Sequence, residues 1–334
     1  MRKISGVLVV CSMLGAALSI CGLPSQAQAV ELRVAHSSNP GQSTYIYWDE
    51  LAKRVNARAN GAIVLKVFPS GQLGGDEQLQ RGLKAGTIHM SSIAASNMSI
   101  VSNAYAWSDL PYVFNSAASA EKVFTDPGLG EMIAKKMRAE AGTVVLGHIE
   151  LGGFRILINT KRALKTPADI GGMKLRMLAN PIDQALLSAW GASPIAMPWS
   201  EVFVAIEQGV ADGLQLQPQA IVGFGFDKMI RHGTHTQTLI TMHVAQVNAA
   251  TWDKFSPAEQ KLIRDASAEA LKVANDADRA DGAKFLADLS KKITFYTPTA
   301  AELELWRKPA LAIWDRFLDK MDKDMLSRVV AIQK

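Results

Sequence analysis

The stretch from Gly153 to Gln217 constrains this chain more than any other, because two short strand-like runs within it each carry an arginine among apolar residues. The runs are Phe154 to Asn159 and Met173 to Leu178. Successive side chains of a strand point to opposite faces, so Phe154, Ile156 and Ile158 share one face while Arg155, Leu157 and Asn159 share the other. Met173, Leu175 and Met177 oppose Lys174, Arg176 and Leu178 in the same way. A guanidinium keeps its proton and is costly to bury alone, so each arginine must meet water, a protein carboxylate or a bound anion. Arg176 is the first choice for an anion clamp, since its fork can hold a carboxylate through two parallel hydrogen bonds. An internal ion pair is the competing structural role.

Around this stretch strands and helices alternate. Leu32 and Val34 mark a strand ending at His36, and Trp48, Leu51, Ala52 and Val55 form a helical stripe. A strand over Ile63 to Phe68 is followed by a turn-rich loop, Pro69 to Asp76, and a helix ending near Gly86. The strand from Ile88 to Ala94 delivers Ser96, Asn97 and Met98. After helices near 116–125 and 129–140 and a strand from Thr143 to Ile149, the chain crosses to a second unit at Leu151-Gly152-Gly153. There, helices are predicted from Ile182 to Trp190 and from Ser200 to Gly209, and Leu214 and Leu216 alternate with Gln215 and Gln217. Leu239 to Val247 reads as a strand pair returning to the first unit. Ser256-Pro257-Ala258-Glu259 is a capping box opening a pattern that continues with few breaks to Lys292. Thr299 to Glu302 caps the last helices, with Leu303, Trp306, Leu311, Ile313, Trp314 and Phe317 as expected core. Such alternation predicts parallel sheets with ligands beyond their carboxyl ends, and two sheets joined by several crossings make a cleft and a hinge.

Length and composition agree with that reading. A chain of 334 residues with 48% hydrophobic content can bury two ordinary α/β cores. Arg2 and Lys3 before an apolar run, and Ala27-Gln28-Ala29 before Val30, read as an export signal over 1–29 cleaved after Ala29, which implies a periplasmic protein. Both cysteines, Cys11 and Cys21, fall inside it, so the mature chain has no disulfide and no thiol. Without Arg2 and Lys3, 34 basic residues face 31 acidic ones; this scattered excess argues against nucleic acid as a partner. The glycine-rich loop lacks the lysine and spacing of a nucleotide-binding loop and reads as a structural turn. The close pair His232 and His235 has no further ligand type beside it, so no metal is expected, nor any other cofactor. No nucleophile elbow or convincing carboxylate pair appears, so no catalytic residue is assigned.

The central stretch resembles the core of DctP-type substrate-binding proteins of tripartite ATP-independent periplasmic (TRAP) transporters. The residues that carry the likeness are Gly153-Phe154-Arg155, Gly172-Met173-Lys174-Leu175-Arg176 to Pro181, Gly191-Ala192-Ser193-Pro194, Met197-Pro198-Trp199-Ser200-Glu201-Val202 and Asp212-Gly213. Ser70 to Asp76 and Asp109 to Phe114 continue it. The resemblance implies a two-domain α/β periplasmic solute-binding fold with a central cleft, hinge strands and a long domain-spanning helix. It implies domain I over 30–152 plus 241–280 and domain II over 153–240 plus 281–334. It places a carboxylate on Arg176 with Arg155 at the same site, and an aromatic wall at Trp199. Many relatives carry asparagine where this chain has Leu216, with Gln215 beside it as the candidate replacement. His36, at a strand end, and Asn97 complete the expected ligand set, with His243 a weaker choice and Trp107 or Tyr112 read as packing. The implied function is capture of a small organic acid, carboxylate or sulfonate, by a monomer that hands it to membrane permease subunits. An enzyme acting on organic acids and a ligand-presenting sensor component are the alternatives.

Overall fold

The computed structural model describes residues 29–334; the expected export signal, apart from Ala29, and both cysteines lie outside the described residues. In the first half, β1 (Val30–Ala35), α1 (Ser43–Arg58), β2 (Ile63–Phe68), α2 (Asp76–Ala85) and β3 (Met90–Ala94) succeed one another. Then come α3 (Ala117–Thr125), α4 (Pro127–Glu140) and β4 (Thr143–Ile149). The second half opens with β5 (Ile156–Asn159), β6 (Lys174–Met177) and α5 (Pro181–Ala189). It continues through β7 (Ser193–Ala196), α6 (Trp199–Glu207), β8 (Gly213–Leu216), α7 (Pro218–Gly223) and β9 (His232–Thr234). The chain then returns in β10 (His243–Asn248) and α8 (Ala249–Trp252), and α9 (Pro257–Leu289) leads to β11 (Thr294–Tyr296), α10 (Ala300–Leu311) and α11 (Lys323–Ile332). Two sheets result, ordered β2-β1-β3-β10-β4 and β11-β9-β5-β8-β6-β7.

The sheets are mixed rather than parallel throughout. β10 runs antiparallel to β3 and β4, and β5 runs antiparallel to β8 and β9. A parallel neighbour needs a long crossover, usually a helix. The links from β4 to β5 and from β9 to β10 contain no helix and lead straight from one sheet to the other. Each incoming strand therefore starts at the gap between the sheets, where β1, β3, β6 and β8 end. The expected strand pair over Leu239 to Val247 is one strand, β10, preceded by a connector. In that connector Leu239 O accepts from Arg155 N at 2.9 Å and Met242 O accepts from Ala95 N at 2.9 Å. Its backbone bonds to each half in turn and so cannot pair with itself.

α9 contributes to both cores. Its Ile263, Ala266, Ala270 and Ala274 pack with Leu32, Val34, Tyr47 and Trp48, while Leu289 packs with Ile156 and Ile158. The capping box expected at Ser256 and Glu259 starts it, and it runs 33 residues. The small alanines let α1 approach closely, and the two buried polar groups there are satisfied: Tyr47 Oη meets Ser267 Oγ at 2.8 Å, and Trp48 Nε1 donates to Ser92 Oγ at 2.8 Å. At the C-terminus, Thr299 and Glu302 form the second expected capping box. Trp306, Ile313 and Phe317 are buried, whereas Leu303, Leu311 and Trp314 are half-buried because α10 covers one face only. Trp306 stacks edge-on against Trp190 at 5.1 Å, and α11 lies on α3 and α4.

Candidate functional site

The strand ends meet in one cleft, and the chain reaches it by a short set of local devices. Arg176 sits in β6 between Ile195 of β7 and Leu214 of β8, so its backbone is fixed on both sides. Its Nε and Nη2 both donate to Met197 O, at 3.1 and 2.9 Å, and its guanidinium lies 5.5 Å from the Trp199 ring. Among the described residues no carboxylate oxygen comes within the 4.0 Å of an ion pair, and Nη1 makes no hydrogen bond. Burial and then the neighbouring Arg155 push its pKa down to about 10, so it remains a cation at neutral pH.

Arg155 lies one residue before β5. Its Nη2 donates to Ser96 Oγ at 3.1 Å and Thr241 Oγ1 at 2.5 Å, and Nη1 is 3.9 Å from Asp183 Oδ2. Asp183, in the first turn of α5, and Asp109 beyond it are both buried. Burial raises the Asp183 pKa, opposed by Arg155 and Arg176. Burial and then Asp183 push Asp109 up to about 7. Asn180 ties this layer together: its Oδ1 caps α5 at Ile182 N, 2.8 Å, and its Nδ2 donates to Asp109 at 2.6 Å. Asp183, Asp109 and Asn180 were not anticipated as part of the site. The helix-start signal Asn180-Pro181 directly after the second arginine run marked the place, but only the fold shows which way Asp183 faces.

Asn97, Arg155, Arg176, Trp199 and Gln215 all line the cleft. Trp199 is half-buried, with one side packed edge-on against Phe224 at 4.8 Å, so packing and cleft-lining are both true of it. Gln215 in β8 keeps a buried Oε1 without a partner, and Leu216 is also on the cleft wall. His36 does not line it. The strand end is at the cleft, but the ring turns inward, 1% exposed and edge-on to Tyr45 at 5.7 Å, with neither nitrogen bonded. His243, at the start of β10, takes that place instead, bonded through Nδ1 to Thr44 Oγ1 at 3.0 Å. Trp107 and Tyr112 are core residues.

A second network joins the two halves at the hinge. Ser43 N donates to Gln219 Oε1 at 3.2 Å, and Gln219 Nε2 donates to Asp278 Oδ1 at 2.7 Å. The hinge residue Gly152, at φ +84°, donates its N–H to Asp278 Oδ2 at 2.7 Å. Burial is the first cause that raises the Asp278 pKa to about 6.

A cleft between two mixed sheets, bridged by connectors and walled by two guanidiniums, defines a class of proteins that bind a solute between lobes. The chain belongs to the bacterial extracellular solute-binding proteins of family 7, whose model matches residues 34–321. Over 336 residues it is 26% identical to the C4-dicarboxylate-binding periplasmic protein of Rhodobacter capsulatus, covering 99% of this chain and 98% of that one. It is 28% identical to the 2,3-diketo-L-gulonate-binding periplasmic protein of Escherichia coli, covering 76% and 78%. In structure it is similar to a TRAP periplasmic solute-binding protein of Shewanella oneidensis with bound succinate, at TM-score 0.86 and 23% identity, covering 92% and 100%. Its family and fold are those of transport solute-binding proteins.

Proposed function

We propose that this chain is the solute-binding subunit of a TRAP transporter, which captures a small organic acid between its lobes and presents it to membrane permease subunits. The observation that carries the ligand reading is Arg176: a buried guanidinium on the cleft wall, stacked on Trp199 and without a carboxylate partner among the described residues. A buried cation with no carboxylate within ion-pair reach, offset only by the more distant Asp183 and Asp76, is answered by an incoming carboxylate or sulfonate. Arg155, already held by Ser96, Thr241 and Asp183, supports the same anion from the side. Trp199, Gln215, Asn97 and His243 form the remaining contacts, and His36 acts only through the wall.

In this reading the moving units are 30–152 plus 241–280 and 153–240 plus 281–334, with α11 reaching back from the second onto the first. Ligand bound to both faces favours the closed form by its differential contacts. The chain performs no chemistry on its ligand, acts as a monomer, and is exported by cleavage after Ala29. A thermal-shift screen of carboxylates and sulfonates against the mature protein tests the reading, because a ligand that binds only the folded state raises its melting temperature. Arg176→Gln is expected to reduce the shift strongly at a given ligand concentration; an unchanged shift refutes the assignment.

A further inference from the structure

The charged side chains on the cleft wall balance: Arg155 and Arg176 face Asp76 and Asp183, and burial holds His243 below its ordinary pKa, towards the neutral ring. Behind the wall lies one more carboxylate, Asp109, 3% exposed. It comes from the first half of the chain and is fastened to the second. Asn180 Nδ2 donates to Asp109 Oδ2 at 2.6 Å and to Ser96 O at 3.3 Å, while Asn180 Oδ1 caps α5 at Ile182 N. That cap sets Asp183 in the first turn of α5. One asparagine thus draws together two buried carboxylates from opposite halves of the molecule, and the charge of Asp183 acts on Asp109.

The groups around this pair can be followed element by element. Arg155, just before β5, acts on both acids: its Nη1 is 3.9 Å from Asp183 Oδ2, and its Nη2 donates to Ser96 Oγ at 3.1 Å. Arg176 in β6 offsets Asp183 from further away. Ser96 after β3 and Asn180 before α5 are neutral, and α10 meets the end of α5 through the uncharged Trp306 and Trp190. Burial is the first cause that raises both carboxyls, and it brings Asp109 to about 7. An acid that settles on Arg176 with Arg155 at its side adds a negative charge to a balanced wall and engages the two guanidiniums that offset Asp183. Like charges crowded into a buried site do not all stay ionised, and the group that yields is the one whose neutral form is already favoured.

Resting on the anion-binding reading above, we propose that Asp109 and Asp183 form a proton site linked to the cleft, so that binding of an organic acid is accompanied by uptake of a proton by this pair. Linkage is reciprocal, so the proton and the acid each strengthen the binding of the other. Above about pH 7 the empty pair has released its proton while the loaded pair retains it, so affinity falls as pH rises, by up to about tenfold per unit.

Titration calorimetry of the mature protein in two buffers of different ionisation enthalpy counts the protons taken up. Acetate, succinate, gluconate and methanesulfonate are titrated, and the tightest binder is the probe; all four are ionised above about pH 7. Uptake of roughly half a proton at about pH 8 is expected, with at least about a threefold loss of affinity between about pH 7 and about pH 8.5. Asp109→Asn and Asp183→Asn are each expected to cut the uptake by at least about half. Binding without uptake overturns the proposal. Uptake that persists unchanged in both variants belongs to His243 and overturns it as well. Should one variant not fold, the other decides; should neither fold, the native heats alone decide. If none of the four acids binds, or if Arg176→Gln leaves the probe's affinity intact, the anion-binding reading itself fails and the proton site falls with it.

Discussion

Arg155 Nη1 lies 3.9 Å from Asp183 Oδ2, with both side chains less than a tenth exposed. Two arginines occupy this cleft, and the pairing divides their roles. Arg155 has an internal acid beside it and is fixed by two hydroxyls, so it can support a ligand only from the side. Arg176, bonded only to a backbone carbonyl and an aromatic face, keeps its charge available.

Removing one member of a buried pair leaves the other uncompensated, which costs about 3–5 kcal/mol. Arg155→Ala is therefore expected to destabilise the protein by roughly that amount, and Asp183→Asn in the same chain to recover most of it. Urea unfolding of the two single variants and the double variant measures the coupling. Additive effects would show that the pair is too weakly engaged to matter.

Arg176 behaves in the opposite sense. Its depressed pKa means that the empty cleft disfavours its charge, so Arg176→Gln is expected to raise the melting temperature of the ligand-free protein slightly. The same change forfeits a charge-assisted bond of about 1.5–3 kcal/mol, which is roughly a ten- to hundredfold loss of affinity. Melting and calorimetric titration of the same variant read both effects; a fall in ligand-free stability would contradict the first.

Asp109 gives stability a pH dependence whose sign follows from its pKa, about 7 in the fold against 3.8 unfolded. Between those values the folded chain holds a proton that the unfolded chain has released. The contribution is fully present at low pH and fades as pH rises from about 4 to about 7. Asp109→Asn keeps an acceptor for Asn180 and has nothing to titrate. Plotted against pH, the difference in melting temperature between variant and native protein should grow over that window and level off above it. A flat difference would place the carboxylate's pKa near its ordinary value.

His36 acts on the other side of the ledger. Burial and then the neighbouring His243 push its pKa down to about 4 from 6.5, so this imidazole's contribution is lost as pH falls from about 6.5 to about 4. Neither ring nitrogen has a partner, and an unsatisfied buried polar group costs about 1–3 kcal/mol. His36→Phe is expected to hold or raise stability at pH 7, to flatten the acid limb, and to leave ligand affinity unchanged. A large loss of affinity would return His36 to the binding surface.

The residues and helix ends that matter were legible because their signals are local. An arginine in an apolar strand, Ser256 with Glu259, and Thr299 with Glu302 each declare themselves over a few positions, through alternation or through the needs of unpaired N–H groups. Tertiary structure decided the rest. Whether β5 and β10 run with or against their neighbours depends on links that cross between the lobes, and β10 pairs residues as distant as His243 with Ala94 and Ile149. The same long-range packing turned His36 inward and His243 outward, and set Asp183 against Arg155 and Asp76 across from Arg176. Sequence alone determined which charges must be answered in this protein; the packing of distant segments decided which of them the protein answers itself and which it leaves for a ligand.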